Sequence, residues 1–304
     1  MGNPLEITLG NLHLDNIFIL ASGILGTSPS LLARVANNGF GAVVTKSFTR
    51  KKRLGYRTPI LIATKCGFIN AVGLENLGAD VIDEFVSEYK QKTRIPIIIS
   101  IAESSLEDFV YIAKKANDAG ADGIELNLSC PHAKKRGIEI GKDPKLVSKI
   151  IKRVRKNVDI PLIAKLGLCD NLLKVAKTAE ESGADCLTLI NTIRAMKIDV
   201  WTTRPILSNK FGGLSGPAIH PIAVRCVYEV YEKVSIPIIG CGGVESWEDV
   251  IEFLLAGASA IQIGSALVRG LEIINEIKRG IIAYLKRKEF SSVRELIGLA
   301  HKRN

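Results

Sequence analysis

The sequence has no uninterrupted apolar run that approaches the roughly 18 residues needed to cross a bilayer. Residues 1–14 carry polar and acidic side chains where a secretory signal peptide requires a continuous apolar stretch. Nothing in these patterns directs the chain to a membrane or out of the cell. We therefore expect a protein without a membrane span that works in the cytoplasm.

Cysteine is sparse and scattered, which limits the metal chemistry available to the chain. The six cysteines include no CxxC pair, the spacing typical of zinc sites and iron–sulfur clusters. We therefore predict no metal site within this chain. Cys186 and Cys241 lie in apolar runs and are expected to be small core residues. Cys130 differs because it precedes a proline in a polar turn.

Acidic residues are fewer than basic ones, with 31 Asp and Glu against 41 Lys and Arg, a net charge of +10. Such an excess suits a nucleic acid, an anionic ligand, an acidic partner or an ordinary solvated surface. The basic clusters are not interleaved with the aromatic residues that stack on RNA bases. We therefore expect neither a nucleic acid nor a membrane as partner.

Eight short apolar runs alternate with amphipathic helical patterns and indicate parallel strands that are buried on both faces. Without a break in composition, eight such units predict one (β/α)8 TIM barrel over residues 1–304. Residues 5–15 predict an N-terminal β-hairpin, and residues 194–216 form a long insertion after the sixth strand. The runs are Phe18–Ala21, Ala42–Lys46, Ile97–Ile101, Gly123–Leu128, Leu162–Leu166, Cys186–Asn191, Ile238–Cys241 and Ala260–Gly264.

The residues that end these strands are polar or glycine, and the active site of a TIM barrel lies at this end. Lys46 and Lys165 are the most informative, because a lysine that ends a buried strand is costly unless it faces an anion or a wet pocket. The other polar ends are Ser22, Ser47, Ser100, Asn127, Asn191 and Thr192.

The last two strand ends are rich in glycine. Gly242 and Gly243 follow the seventh strand, and Gly264 and Ser265 follow the eighth. Loops at these two positions form the usual phosphate site of the fold, because glycine lets backbone N–H groups approach phosphate oxygens. FMN is the natural candidate, since a nearby lysine would stabilise the negative charge of the reduced flavin. A flavin-free barrel, with Lys165 as a Schiff-base lysine, is the alternative.

Cys130 lies just past the fourth strand, in the sequence Asn127-Leu128-Ser129-Cys130-Pro131. A thiol there can act as a nucleophile or as a general acid or base near neutral pH. The segment that follows, residues 132–141, is basic and contains two glycines, which is typical of a lid over an active site. His132 is either a substrate contact or an ordinary loop residue.

Three segments closely resemble the class 1 dihydroorotate dehydrogenases, especially the B-type catalytic subunit. They are residues 70–74 (NAVGL), 127–131 (NLSCP) and 209–219 (NKFGGLSGPAI), and the resemblance extends over nearly the whole chain. It implies oxidation of (S)-dihydroorotate to orotate in pyrimidine biosynthesis. Cys130 would remove the proton at C5 while hydride passes from C6 to FMN, and Lys46 would belong to the catalytic set.

The resemblance also implies binding roles and partners. The substrate would contact Lys46, Asn70, Ala71, Val72, Gly73, Leu74, Asn127, Asn191 and Thr192. FMN would contact Ser22, Lys46, Ser47, Ser100, Asn127, Lys165, Ile190, Gly216, Gly242, Gly243, Gly264 and Ser265. The family further suggests a homodimer core and a separate electron-transfer subunit that carries FAD and an iron–sulfur cluster.

The sequence departs from the family pattern at three places: Ser100 stands for an asparagine, residues 166–170 replace a Ser-Pro-Asn type sequence, and His132 replaces an asparagine after Cys-Pro. The Cys-Pro-His sequence is similar to that of dihydropyrimidine dehydrogenases, which act on uracil or thymine. A tRNA dihydrouridine synthase is a second alternative, although residues 270–304 are short for its RNA-binding domain.

Overall fold

The computed structural model describes residues 2–129 and 140–302. Within these ranges the strands are β1 (Ile7–Leu9), β2 (Leu12–Leu14), β3 (Phe18–Leu20), β4 (Ala42–Val44), β5 (Leu61–Thr64), β6 (Gly67–Asn70), β7 (Ile97–Ile101), β8 (Gly123–Asn127), β9 (Leu162–Leu166), β10 (Cys186–Leu189), β11 (Ile193–Ala195), β12 (Ile198–Asp199), β13 (Arg204–Pro205), β14 (Gly212–Ser215), β15 (Ile238–Cys241) and β16 (Ala258–Ile263). The helices are α1 (Pro29–Ala36), α2 (Ile82–Lys92), α3 (Leu106–Asp118), α4 (Pro144–Arg155), α5 (Leu172–Glu181), α6 (His220–Tyr231), α7 (Trp247–Ala256) and α8 (Ile273–Arg287).

A closed parallel barrel confirms the predicted (β/α)8 architecture. Its strands follow the order β3-β4-β7-β8-β9-β10-β15-β16, and β16 pairs with β3 to close the ring. The eight predicted apolar runs all supply barrel strands. Because helices cover the outside and side chains fill the inside, strands such as β7 and β9 are buried at every position.

Helix ends follow the local sequence. Asp143 accepts hydrogen bonds from the backbone N–H groups of Lys145 and Leu146, so it caps α4, with Pro144 in the first turn. Ser246 and Asp249 form a reciprocal capping box at the start of α7. These caps define where each helix begins after its strand, and they place the strand-to-helix loops at one end of the barrel.

The predicted N-terminal hairpin is present as the antiparallel pair β1–β2, which turns at Gly10. Leu9 and Leu14 are fully buried, and Gly10 lies against Asp185 at the amino end of β10. The hairpin therefore packs at the end of the barrel opposite the predicted active site.

The predicted long insertion after the sixth barrel strand is also present, and it contains strands of its own. β11 and β14 join β6 and β5 in a four-stranded antiparallel sheet of order β11-β14-β6-β5, while β12 and β13 form a separate pair. The hairpin β5–β6 was not predicted, because its alternation is short and interrupted by polar residues. Among the described residues, no helix is long and apolar enough to cross a membrane.

Candidate active site

A cavity of about 1310 Å³ opens at the carboxyl ends of the barrel strands, beneath the four-stranded sheet. Typical small-molecule sites measure roughly 300–1,000 Å³, so this space is large enough for a cofactor together with a substrate. Of the predicted site residues, those that line it are Ser22, Lys46, Ser47, Asn70, Val72, Gly73, Leu74, Asn127, Lys165, Ile190, Asn191, Thr192, Gly242, Gly243, Gly264 and Ser265.

Three predicted site residues do not line the cavity in the part of the chain that the structure describes. Ser100 is fully buried and lies behind Ser47, with 2.9 Å between their hydroxyl oxygens. Ala71 is buried in the small cluster formed with Ile69. Gly216 contributes through its backbone, which packs against Gly67 and Gly243. Cys130 lies outside the described residues, as does His132.

A continuous chain of polar side chains crosses the floor of the cavity. The Ser22 hydroxyl lies 3.4 Å from the Ser47 hydroxyl, and the Asn127 amide donates to that same Ser47 oxygen at 3.2 Å. Asn191 then donates to Asn127 Oδ1 at 3.2 Å and to Ser129 Oγ at 2.6 Å. Because each amide is anchored by its neighbours, the remaining donors and acceptors have defined directions, which suits recognition of a planar heterocycle.

Lys46 lines the same cavity as this chain of polar side chains. Its ammonium is 3.2 Å from Glu75 Oε2, and its side chain is 15% exposed against 54% for Glu75. Glu75 follows the segment of residues 70–74, whose backbone turns through positive φ at Gly73 and Leu74. A Cβ at Gly73 would meet Tyr56 at 2.7 Å, so only glycine fits this turn. The turn brings Glu75 to Lys46.

Lys165 lies deeper, and its side chain is only 5% exposed. Its ammonium donates to Gln262 Oε1 at 2.8 Å and lies 3.8 Å from Glu125 Oε1. Gln262 lines the cavity with Lys165, whereas Glu125 is fully buried beneath both. Sequence reasoning missed both residues. The available signal was a charged or amide side chain inside an otherwise apolar strand run.

The glycine-rich ends of β15 and β16 form one side of the cavity. Gly242 and Gly243 both have positive φ, and a Cβ at Gly243 would lie 2.7 Å from the Gly216 carbonyl oxygen. His220, at the start of α6, donates from Nδ1 to the Gly242 carbonyl oxygen at 3.0 Å, and its Nε2 lies 2.9 Å from Glu252 Oε2. His220 therefore supports the Gly242–Gly243 turn on the side away from the cavity, and the other side of the turn lines the cavity.

Two thiols on neighbouring strands differ in their surroundings. Cys186 is fully buried, as predicted, and burial raises its pKa well above the ordinary range. Cys241 was predicted to be a core residue, but it lines the cavity. Burial also raises the pKa of the Cys241 thiol, with Lys165 acting in the opposite direction. Cys241 therefore contributes a neutral thiol to the cavity wall near pH 7.

The cavity fits an FMN molecule on the evidence of its own residues. A flavin mononucleotide needs a phosphate cradle, a cation near the electron-rich pyrimidine ring, and amide partners along one edge. The turn at Gly242 and Gly243, the buried Lys165, and the Ser47–Asn127–Asn191 floor supply these three features.

Comparison with known proteins gives a consistent picture. The family model described as dihydroorotate dehydrogenase matches residues 4–285. The catalytic subunit of dihydroorotate dehydrogenase B (NAD(+)) from Pyrococcus horikoshii is 48% identical over 301 residues, 98% of each chain. The subunit of the same name from Methanothermobacter thermautotrophicus is 46% identical over 301 residues, again 98% of each chain. An Aeropyrum pernix relative, 44% identical over 299 residues and 98% of each chain, is provisionally named dihydroorotate dehydrogenase A (fumarate).

The family model covers most of the chain, and these relatives exceed 40% identity along nearly their whole length. The shared sequence spans every barrel strand and the insertion that roofs the cavity. This chain belongs to the dihydroorotate dehydrogenase family.

Proposed function

We propose that the chain is the catalytic subunit of an NAD-linked dihydroorotate dehydrogenase and works with a separate electron-transfer subunit. The reaction removes one proton from C5 and one hydride from C6 of (S)-dihydroorotate to give orotate, a step of pyrimidine biosynthesis. FMN, when bound, supplies the acceptor for the hydride. The observation that carries the proposal is the cavity in which Lys46, Lys165 and the asparagine floor converge at the strand ends.

The residues of this chain would bind and orient the substrate. Asn127 and Asn191 present amides anchored to Ser47 and Ser129, which suit the ring N–H and C=O groups of a dihydropyrimidine. Lys46 supplies a cation for the substrate carboxylate. Asn70 donates to the Gly213 carbonyl oxygen at 3.2 Å, which joins the turn of residues 70–74 to the insertion above the cavity.

The residue proposed to remove the C5 proton is Cys130. The proposal rests on the sequence, since Cys130 follows Asn127 by three positions along the chain and cysteine thiols can act as acids or bases near neutral pH. We also propose which residues hold FMN. Ser100 would act only through Ser47, which it contacts from behind. The direct contacts would come from Ser22, Lys46, Ser47, Asn127, Lys165, Ile190 and the turns at Gly216, Gly242–Gly243 and Gly264–Ser265.

The Cys130→Ala variant should retain FMN and bind orotate but lose flavin reduction by dihydroorotate. General-base groups typically contribute about 100- to 10,000-fold, so the rate should fall within that range. Anaerobic stopped-flow absorbance measures it directly. Cys66→Ala is the matched control, because Cys66 is an exposed thiol that does not line the cavity. Reduction of Cys130→Ala at the wild-type rate would remove Cys130 from the mechanism.

The proposed activity is tested by mixing the purified protein with dihydroorotate in the absence of oxygen. Loss of the oxidised-flavin absorbance near roughly 450 nm is expected, because hydride transfer reduces the flavin. A flavin that dihydroorotate does not bleach but dihydrouracil does would instead favour the dihydropyrimidine alternative.

The oxidant separates two versions of the proposal. The B-type relatives are named as catalytic subunits of NAD(+)-type enzymes, which suggests that NAD⁺ reoxidises the protein only when a partner subunit is present. The Aeropyrum relative raises fumarate as the alternative. Rapid return of the yellow colour when fumarate is added to the reduced chain alone would favour the fumarate type. Slow return with both oxidants, together with NAD⁺-dependent turnover once the partner is added, would favour the NAD-linked type.

A homodimer core and a cytoplasmic location are proposed on the same family basis.

A further inference from the structure

Beneath the cavity, the barrel interior contains a carboxylate that the reaction does not use directly. Glu125 on β8 is fully buried. Its Oε2 accepts from Gln262 Nε2 at 2.6 Å and from Thr188 Oγ1 at 3.3 Å. Its Oε1 has no hydrogen-bond partner among the described residues, and it faces the Lys165 ammonium at 3.8 Å.

Burying this group is costly. Removing a carboxylate from water carries a large desolvation penalty, and a paired ammonium recovers only part of it. An apolar side chain of similar size would fill the same interior position at a lower cost. A strand that otherwise selects apolar residues therefore carries Glu125 for a reason other than packing.

The hydrogen bonds define what Glu125 does to Gln262. An ionised carboxylate can only accept, so the Gln262 amide must turn its Nε2 toward Glu125. That orientation leaves Gln262 Oε1 as the group that faces Lys165, from which it accepts at 2.8 Å. Gln262 and Lys165 line the cavity, whereas Glu125 does not. The carboxylate thus acts on the cavity only through these two side chains.

Resting on the proposed FMN function, we propose that Glu125 is a positioning residue that orients the Gln262 amide, anchors the Lys165 ammonium, and partly offsets its charge beneath the flavin site. A lysine ammonium has three donors, and one of them is used by Gln262. The other two N–H donors of Lys165 therefore remain available to a ligand in the cavity. The negative charge of Glu125 partly cancels the positive charge of Lys165. It therefore limits how strongly Lys165 favours the negatively charged reduced form of a bound flavin.

The test is a redox titration of the FMN-loaded protein with reference dyes and without substrate. Glu125→Gln removes the negative charge while keeping the side-chain shape. At a dye potential where the wild type is half reduced, the ratio of reduced to oxidised flavin should rise about tenfold, the order expected for one lost buried charge. Glu125→Asp keeps the charge and should stay within about twofold of the wild type.

Two further measurements keep the proposal open to refutation. If Glu125→Gln does not fold, Gln262→Met tests the same chain of contacts from Glu125 through Gln262 to Lys165. It should weaken FMN binding and shift the titration, because Lys165 loses its only neutral acceptor among the described residues. An unchanged flavin titration in a folded Glu125→Gln protein would overturn the proposal, since a purely structural carboxylate would change the stability alone. Failure of the wild type to bind FMN would instead refute the proposed function.

Discussion

Glu75 places a negative charge beside the lysine that is proposed to bind the substrate carboxylate. The distance from its Oε2 to Lys46 Nζ is 3.2 Å, and Glu75 is more than half exposed. A substrate carboxylate and Glu75 would therefore compete for one ammonium. Because the Glu75 carboxylate is more than half exposed, water screens the pair, which is worth at most about 1 kcal/mol, and the competition for Lys46 is mild.

Replacing Glu75 with Gln should lower the KM for dihydroorotate by about two- to fivefold with little change in kcat, because the competing charge is removed. Steady-state kinetics at low ionic strength measure the effect. Glu88→Gln is the control, since Glu88 forms a comparable exposed pair with Lys92 on α2 and does not line the cavity. A higher KM in Glu75→Gln would show that Glu75 positions Lys46 productively.

The thiols should react in the order of their exposure and pKa. Burial raises the pKa of Cys186, Cys226 and Cys241, so the thiolate fraction of each at pH 8 is smaller than that of an ordinary cysteine. Iodoacetamide at pH 8 should therefore label the exposed Cys66 before these three, and labelling of Cys241 should still be increasing above pH 9. Peptide mass spectrometry follows each site. Equal rates for Cys241 and Cys66 at pH 8 would contradict this order.

At the scale of elements, α6 and α7 support the glycine turn after β15. His220 joins them, because its Nδ1 contacts the Gly242 carbonyl oxygen and its Nε2 contacts Glu252 on α7. Its ring also packs edge-on against Phe253, with 5.0 Å between ring centroids. The proposed phosphate cradle thus depends on a side chain that does not line the cavity.

The His220→Ala variant should bind FMN more weakly, by about five- to 100-fold, since loss of a buried hydrogen bond to the turn costs about 1–3 kcal/mol. Fluorescence titration of the apoprotein with FMN measures the dissociation constant. The KM for dihydroorotate at saturating FMN should stay near the wild-type value. Asp143→Ala, which removes the α4 cap, is a control that affects a helix elsewhere on the barrel. Unchanged FMN affinity in His220→Ala would show that the turn holds its shape alone.

At the scale of the whole molecule, the two chain ends are held together. The backbone N–H of Val293 donates to the Pro4 carbonyl oxygen at 3.0 Å, and Arg294 pairs with Glu6 at 3.0 Å. β16 closes the barrel on β3, so the last strand depends on the first. The insertion sheet shares β5 and β6 with the segment between β4 and α2. These ties favour unfolding of the described chain as one unit.

The two tryptophans allow a test of that expectation. Trp201 is 92% exposed in the insertion, whereas Trp247 lies on α7 of the barrel. In Trp201→Phe the remaining Trp247 reports on the barrel, and in Trp247→Phe the remaining Trp201 reports on the insertion. Within each variant, the midpoints from fluorescence and from circular dichroism should coincide in urea if the chain is a single cooperative domain. An insertion signal that melts before the circular dichroism signal would divide the chain into two units.

Much of the architecture could be predicted because it depends on local patterns. Strands buried on both faces must be continuously apolar, and capped amphipathic helices must separate them, so eight repeats imply a closed barrel. Polar residues at the strand ends then indicate the catalytic end, because charged groups there require a pocket. Lys46, Asn127 and Lys165 were recognised on this basis, and each lines the cavity.

The sequence by itself therefore determined the barrel, the end at which the cavity lies, and many of the polar side chains and glycines that line it. Only the tertiary structure decided which side chains meet. Asn127 contacts Ser47 across 80 residues of the chain and Asn191 across 64, and Glu125 reaches Gln262 across 137. Which side chains form hydrogen bonds depends on the strand register and on the closure of the barrel. No local sequence pattern specifies these, because the conformational preference of a short segment does not depend on contacts between distant strands.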